Sequence, residues 1–220
     1  MTIVSIDFSI LYPGVCICRD FKDFKWIAAV NTNVRKKDSD LFDYINSTYP
    51  NIKIVTTETR RKKDVQYHVT ERTKLINYFE VISLLSKEIG EEIKEDHDIV
   101  FSLEGISFGS SGNSLVDISQ ATGILKYVLI NQVLKGEHNR FFIFSPSELK
   151  NAIGCKGNSN KLDILEKFKT DPLIDSVKES DLFKLTNTKD WVIQKDKVLS
   201  PIIDMVDSYL GIVKIHNLLK

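Results

Sequence analysis

Ser200-Pro201-Ile202-Ile203-Asp204-Met205-Val206-Asp207-Ser208-Tyr209-Leu210 is the stretch on which the fold turns. It reads as the opening of a helix. The Ser200 side chain can accept a hydrogen bond from a first-turn amide, and Pro201 suits the first helical position. Ile203, Val206, Leu210 and Val213 fall at helical spacing and predict an apolar stripe. Asp204 and Asp207 are three residues apart and share a face beside that stripe, where an unpaired carboxylate is costly. Two readings follow. The acids are one carboxylate favoured by the helix N-terminus and one in solvent, or they are a pair aimed at a centre that other acids also reach.

Working outward, residues 2–8 predict a strand, Tyr12-Pro13-Gly14 a turn, and Val15–Cys18 and Lys25–Val30 two more strands. Turns this short make an antiparallel meander. Residues 31–50 read as loop with some helix, and Ile52–Val55 as a short strand. A helix from Glu71 to about Lys94 carries the stripe Leu75, Tyr78, Phe79, Ile82, Leu85, Ile89 and Ile93, with Glu88, Glu91, Glu92 and Glu95 mostly outside. Asp98–Glu104 is apolar enough for a strand covered on both faces. A small-residue loop follows, then a helix with Leu115, Ile118, Ala121, Leu125, Val128 and Leu129 inward. Arg140–Phe144 predicts another buried strand. Ser145-Pro146 repeats the cap-plus-proline opening, and a basic loop, Cys155–Lys161, precedes a helix over Leu162–Lys169. The order predicts a mixed α/β sheet with helices packed on it, and insertions near 31–70 and 170–199 within one domain over 1–220.

Composition narrows the class. Hydrophobic residues make up 42% of the 220, enough for a sizeable core. Lys plus Arg and Asp plus Glu are 30 each. A strongly basic balance is absent, yet a neutral total leaves nucleic acid open because local patches set the field. Three cysteines without C-x-x-C spacing argue against a disulfide scaffold or a zinc site. His68, His97, His138 and His216 lack ligand-like spacing and receive no role. No signal-peptide pattern or membrane-length window is seen, so the expected compartment is reducing and intracellular, the cytoplasm.

Asp7 closes the first strand and Glu104 closes the later apolar one. Sites in open α/β sheets form beyond strand ends, and neighbouring strands lie about 4.8 Å apart. A helix carrying Asp204 and Asp207 could dock there. Four gathered carboxylates repel unless a cation lies between them, and hard oxygen ligands suit Mg²⁺ or Mn²⁺. Two ions in such a site are a usual device for in-line phosphodiester cleavage.

Several stretches together resemble the RuvC-type Holliday junction resolvases of the RNase H-like (retroviral integrase) superfamily, especially bacteriophage members. They are Ser5-Ile6-Asp7-Phe8-Ser9 with Gly14; Leu103-Glu104-Gly105 with Phe108-Gly109; Ala121-Thr122-Gly123-Ile124-Leu125-Lys126; Ser145-Pro146-Ser147 with the Lys156–Lys161 loop; and Asp204-Met205-Val206-Asp207-Ser208-Tyr209. Phe8-Ser9 stands where many bacterial members have Pro-Gly. The resemblance implies an RNase H-like mixed five-stranded sheet with helices on both faces. It implies that Asp7, Glu104, Asp204 and Asp207 hold two Mg²⁺ or Mn²⁺ ions, and that cleavage leaves 5′-phosphate and 3′-hydroxyl ends. It places Lys161 near the scissile phosphate, with Lys156 a second candidate. It implies a homodimer on branched or four-way DNA, with the helix over 114–135 as a candidate interface. Phe108 either stacks on a base or folds back on the core. Arg60, Arg61, Lys62 and Lys63 form either a solvated loop or a phosphate-contacting one. Ser110 and Lys150 complete the candidate DNA contacts. Three other readings are an RNase H-like nuclease on hybrids or flaps; an actin-like or sugar-kinase-like ATPase, whose phosphate loop also starts at a strand-end Asp; and a catalytically silent DNA-binding scaffold, which would need the acids to lie apart.

Overall fold

Alternation along the first strand sets the architecture. In β1 (Thr2–Asp7), Ile3 joins one hydrophobic core, while Val4 and Ile6 join another on the opposite face of the sheet. β2 (Gly14–Arg19) repeats this, with Cys16 and Cys18 on the Ile3 side and Val15 and Ile17 on the other. β3 (Asp23–Asn31) completes the antiparallel meander. The structure is a computed structural model and describes residues 1–31, 38–58, 66–106, 112–189, 192–194 and 197–220.

After β3 come α1 (Ser39–Thr48) and β4 (Ile52–Thr57). Then follow α2 (Tyr67–Ile93), β5 (Ile99–Glu104) and α3 (Asn113–Val128), the last continued by a π turn over Leu129–Val133. β6 (Phe141–Phe144), α4 (Pro146–Ala152), α5 (Lys161–Thr170) and α6 (Asp181–Thr188) lead to a hairpin of Ile193–Gln194 with Lys197–Val198. The last helix is α7 (Ile202–Leu218). The main sheet has the order β4-β3-β2-β1-β5-β6. Only β2 runs against the rest, since β1, β5 and β6 are mutually parallel and β4 is parallel to β3. Helices α2 and α3 cover the Val4 and Ile6 face; α1, α4, α5, α6 and α7 pack on the other.

The mixed α/β class expected from the sequence holds, and the six strand segments read from it all join the main sheet, one more than the five implied by the resemblance. The extra strand comes from the segment near 31–70: α1 returns the chain so that β4 adds to β3 in parallel. Asn46 of α1 closes the outer edge of β4, donating to the Ile54 carbonyl (2.9 Å) and accepting from the Ile54 amide (2.8 Å). That blocks an edge otherwise open to pairing. The segment near 170–199 contributes a 3₁₀ turn, α6 and the hairpin; Val177, Leu182, Leu185 and Val192 sink into the core beside α7.

Four local expectations are corrected. β6 is an edge strand, with Phe142 and Ile143 exposed, rather than a buried one. Leu75 and Phe79 lie at the open side of α2, because α3 covers only part of that helix. Glu88 is buried and paired with Lys53, which reaches it from β4. The first helical position of α7 is Ile202 and Ser200 makes no cap. The Leu199 carbonyl accepts from the Ile203 amide (3.1 Å), one of the first-turn donors that a Ser200 hydroxyl would otherwise serve.

The stripe Ile203, Val206, Leu210 and Val213 is buried as expected, but so is the opposite face of α7. Two glycines allow this. A Cβ on Gly211 would overlap the hydroxyls of Ser5 in β1 and Ser102 in β5. One on Gly14, opposite Asp7 in the β1–β2 ladder, would overlap the Asp204 carbonyl and lie 2.6 Å from the Met205 nitrogen. Small residues on strand and helix therefore let α7 lie directly on β1, β2 and β5.

Candidate metal centre

Period-two alternation carries Ser5 and Asp7 to the face on which α7 lies, and does the same for Ser102 and Glu104. The parallel pairing of Ile6 with Leu103 sets the two acids at adjacent strand ends. Asp204 and Asp207 occupy the first two turns of α7, held against that end of the sheet by the Gly14 contact. One carboxylate oxygen from each of Asp7, Asp204 and Asp207 lies within 4.8 Å of the others. Asp204 and Asp207 are 6% and 8% exposed, and Asp7 is half-buried. Glu104, also half-buried, adjoins this triad without entering it.

Lys161 answers part of the negative charge. Its Nζ donates to Asp204 Oδ1 at 2.9 Å and lies 3.2 Å from Asp207 Oδ2. The lysine is placed by local chemistry at the first turn of α5. Asn160 Oδ1 accepts from the amides of Leu162 (2.8 Å) and Asp163 (3.0 Å), while the Asp163 carboxylate accepts from the Asn160 amide (2.9 Å). Lys150, on α4, donates to the Ser159 carbonyl (2.8 Å) and anchors the same loop.

One lysine does not neutralise this many acids. Burial first, then the charges of Asp207, Glu104 and Asp204, push the Asp7 carboxyl well above its ordinary range, against the pull of Lys161. Burial and then Asp207 raise Glu104 to about 7, with Lys150 and Lys161 opposing. Burial raises Asp207 to about 6, less than it otherwise would because Lys161 lies beside it. Burial works against the charge on Lys161, but Asp207, Asp204 and Asp7 outweigh it and its pKa is raised. The oxygens Asp204 Oδ2 and Asp207 Oδ1 are buried with no hydrogen-bond donor among the described residues. Clustered oxygen donors, surplus negative charge and two unpartnered buried oxygens fit a hard divalent cation.

Of the remaining candidates, Lys156 is exposed on the loop before α5. Arg60, Arg61, Lys62, Lys63, Phe108 and Ser110 lie outside the described residues. His68, His97 and His138 are exposed, and His216 packs against Phe21. Sequence reasoning missed the cleft beside the acids, lined by Asp7, Phe8, Glu104, Gly105, Ile106, Ile118 and Thr122. No sequence signal marks it, because α3 reaches the acids only through packing. It also missed the Asn160/Asp163 capping box, which the Asn-Lys-Leu-Asp spacing does display.

The fold and site together define a mixed α/β protein with a carboxylate cluster at the C-terminal ends of its central parallel strands. No protein-family model matches the chain, and no curated protein matches it. Among solved structures it is similar to Thermus thermophilus RuvC, with a TM-score of 0.46 and 10% identity over 99% of this chain and 96% of that one. It is similar also to T. thermophilus RuvC in complex with Holliday junction substrate, with a TM-score of 0.47 and 9% identity over the same shares. Among the described residues no helix is long and apolar enough to cross a membrane.

Proposed function

We propose that this protein is a divalent-metal-dependent, structure-specific DNA endonuclease that cuts Holliday junctions or other branched DNA. The observation that carries the reading is the convergence of Asp7, Asp204 and Asp207 within 4.8 Å, from two ends of the chain, with buried oxygens that find no donor among the described residues. A structural salt-bridge network would match its acids with bases; this cluster has an excess of acids. The choice of branched DNA rests on the motif resemblance read from the sequence.

In this reading Asp7, Asp204 and Asp207 hold Mg²⁺ or Mn²⁺, and Glu104, at the adjacent strand end, completes the ligand set for two ions. Bound there, such ions supply a water nucleophile at neutral pH and stabilise the leaving 3′-oxygen. The chain's own part is positional. β1 and β5 fix two carboxylates, and the buried first turns of α7 fix two more. Lys161 partners the aspartates when no ion is bound; once released, it is within reach of a phosphate oxygen at the same place. Lys150 and Lys156 add positive charge beside it for the DNA backbone. Two sites nicking opposed strands require two chains. Val116 and Tyr127 on α3 and Leu75 and Phe79 on α2, all exposed, support a second copy docking on that face.

The test is cleavage of end-labelled four-way, flap, hybrid and linear duplex substrates with Mg²⁺. Preference for the four-way or another branched DNA supports the reading. Preference for the hybrid moves it to RNase H-like chemistry, and hydrolysis of ATP alone would replace it with the ATPase reading. Against that last possibility, the described residues form one main sheet and a two-stranded hairpin, where an actin-like fold needs two lobes.

A further inference from the structure

Helix α5 touches α7 at two places. At its first position, Lys161 reaches Asp204 and Asp207. Two turns on, the Phe168 ring meets the Tyr209 ring edge-on, with centroids 5.3 Å apart. Lys161, Leu165 and Phe168 fall at i, i+4 and i+7, so one face of α5 carries both contacts. Beyond the end of α5, the Ile174 amide donates to the Tyr209 hydroxyl at 3.1 Å, in the interior. Tyr209 and Phe168 are each 2% exposed. Phe183 of α6 backs Phe168 at 5.7 Å, and Phe24 of β3 backs Tyr209 at 6.2 Å. Tyr209 therefore grips both the body of α5 and the chain leaving it, and Ile174 and Phe183 bring the segment near 170–199 into the grip.

We infer that Tyr209 is a positioning residue for Lys161: it holds α5 on α7 so that the ammonium stays at the centre, both when paired with the aspartates and when a cation has displaced it. The inference rests on the nuclease reading, in which Lys161 meets a phosphate oxygen, and it gives the segment near 170–199 a part in that reading. The two contacts respond differently to an ion. The lysine contact is electrostatic, half open to water, and lost to any divalent ion that takes the same oxygens. The Tyr209 contact is buried and uncharged, so the ion leaves it in place. The hydroxyl adds what ring packing lacks, because one ring can slide on another, whereas a hydrogen bond from a main-chain amide fixes both distance and direction. Tyr209 itself faces away from Asp207, since residues two apart on a helix point to nearly opposite sides.

A double-mutant cycle separates positioning from bulk stability. Tyr209→Phe keeps the ring and removes the hydroxyl, and it is made alone and together with Lys161→Met. On a labelled four-way junction with Mg²⁺, Y209F should lose about tenfold in kcat with KM little changed, the scale of a small misplacement. In the K161M background Y209F should cost less than about twofold, because the lysine it positions is gone. A merely structural tyrosine costs the same factor in both backgrounds, and that result overturns the inference. Mg²⁺ binding by calorimetry at pH 8 is independent of cleavage. A loosened Lys161 competes less for the aspartates, so Y209F should bind Mg²⁺ about two- to threefold more tightly than the wild type, and K161M/Y209F no more tightly than K161M. Unchanged or weaker binding in Y209F overturns the inference. Should Y209F not fold, Phe168→Leu removes the ring contact from the α5 side and decides by the same cycle. If the wild type cuts no DNA, the nuclease reading falls, and the Mg²⁺ comparison alone decides whether Tyr209 positions the lysine.

Discussion

Lys161, at the first position of α5, donates a 2.9 Å hydrogen bond to Oδ1 of Asp204 in the first turn of α7. The same ammonium lies 3.2 Å from Asp207. A divalent ion at the aspartates therefore competes with this lysine. Lys161→Met should lower the metal-free melting temperature by roughly 2–4 °C. The pair is discounted to about 1 kcal/mol, because the lysine side chain is 54% exposed and screened by water. At pH 8 the variant should bind Mg²⁺ severalfold more tightly, while its cleavage rate falls. Thermal shift across an Mg²⁺ series checks the first two; unchanged affinity would remove the lysine from the metal centre.

The acids set a pH dependence with a definite sign. Asp7 is raised well above its usual value, Glu104 is raised to about 7 and Asp207 to about 6. Between the unfolded carboxylate range near pH 4 and those raised values, the folded state holds more protons than the unfolded state. The cluster's contribution to metal-free stability therefore falls as pH rises from about 4 to about 7. A metal must displace the same protons, so stabilisation by Mg²⁺ should be largest at pH 7.5–8 and shrink steadily toward pH 5.5. Melting curves with and without 10-fold steps of Mg²⁺ at each pH, set against Asp7→Asn, measure this. An Mg²⁺ increment that stays constant over the range contradicts it.

Gly14 and Gly211 both hold α7 on the sheet, but they differ in what can yield. A Cβ at position 211 meets two serine hydroxyls, which can rotate, and the Ser102 Cβ at 3.1 Å, which needs to give by only a few tenths of an ångström. One at position 14 meets the backbone of Asp204, which cannot move without carrying the carboxylate along. Gly211→Ala should cost about 1 kcal/mol and leave Mg²⁺ binding nearly intact, whereas Gly14→Ala should cost about 2–3 kcal/mol. G14A should also weaken Mg²⁺ binding by tenfold or more in the fraction that remains folded. Denaturant unfolding and metal titration separate the two; equal metal affinity in both variants would mean Gly14 does not position the site.

Much of this arrangement was legible in the sequence, for identifiable reasons. Asp7 and Glu104 stood out because period-two strands end at them, and Asp204 and Asp207 because helical spacing pairs them. That the helix could dock at those strand ends was anticipated, but what lets it do so was not legible, since Gly14, Gly211, Ser5 and Ser102 carry no period of their own. β4 was visible as a short strand but its pairing was not, because the intervening segment is polar and weakly periodic. The burial of Glu88 escaped for a related reason: its partner Lys53 lies 35 residues earlier, on a different element. Phe142 and Ile143 read as core by composition alone, yet an edge strand leaves them open.

Acids from both ends of the chain are proposed to act on one phosphate through shared divalent ions. The most direct measurement is Mg²⁺-dependent cleavage of a labelled four-way junction by wild type and by Asp7→Asn/Asp207→Asn, with binding measured on the same DNA in Ca²⁺. The wild type should leave nicks bearing 5′-phosphate and 3′-hydroxyl ends, and the double variant should lose at least a thousandfold in rate while retaining binding within a few fold. Cleavage by the double variant at the wild-type rate, or wild-type cleavage undiminished by EDTA, would contradict it.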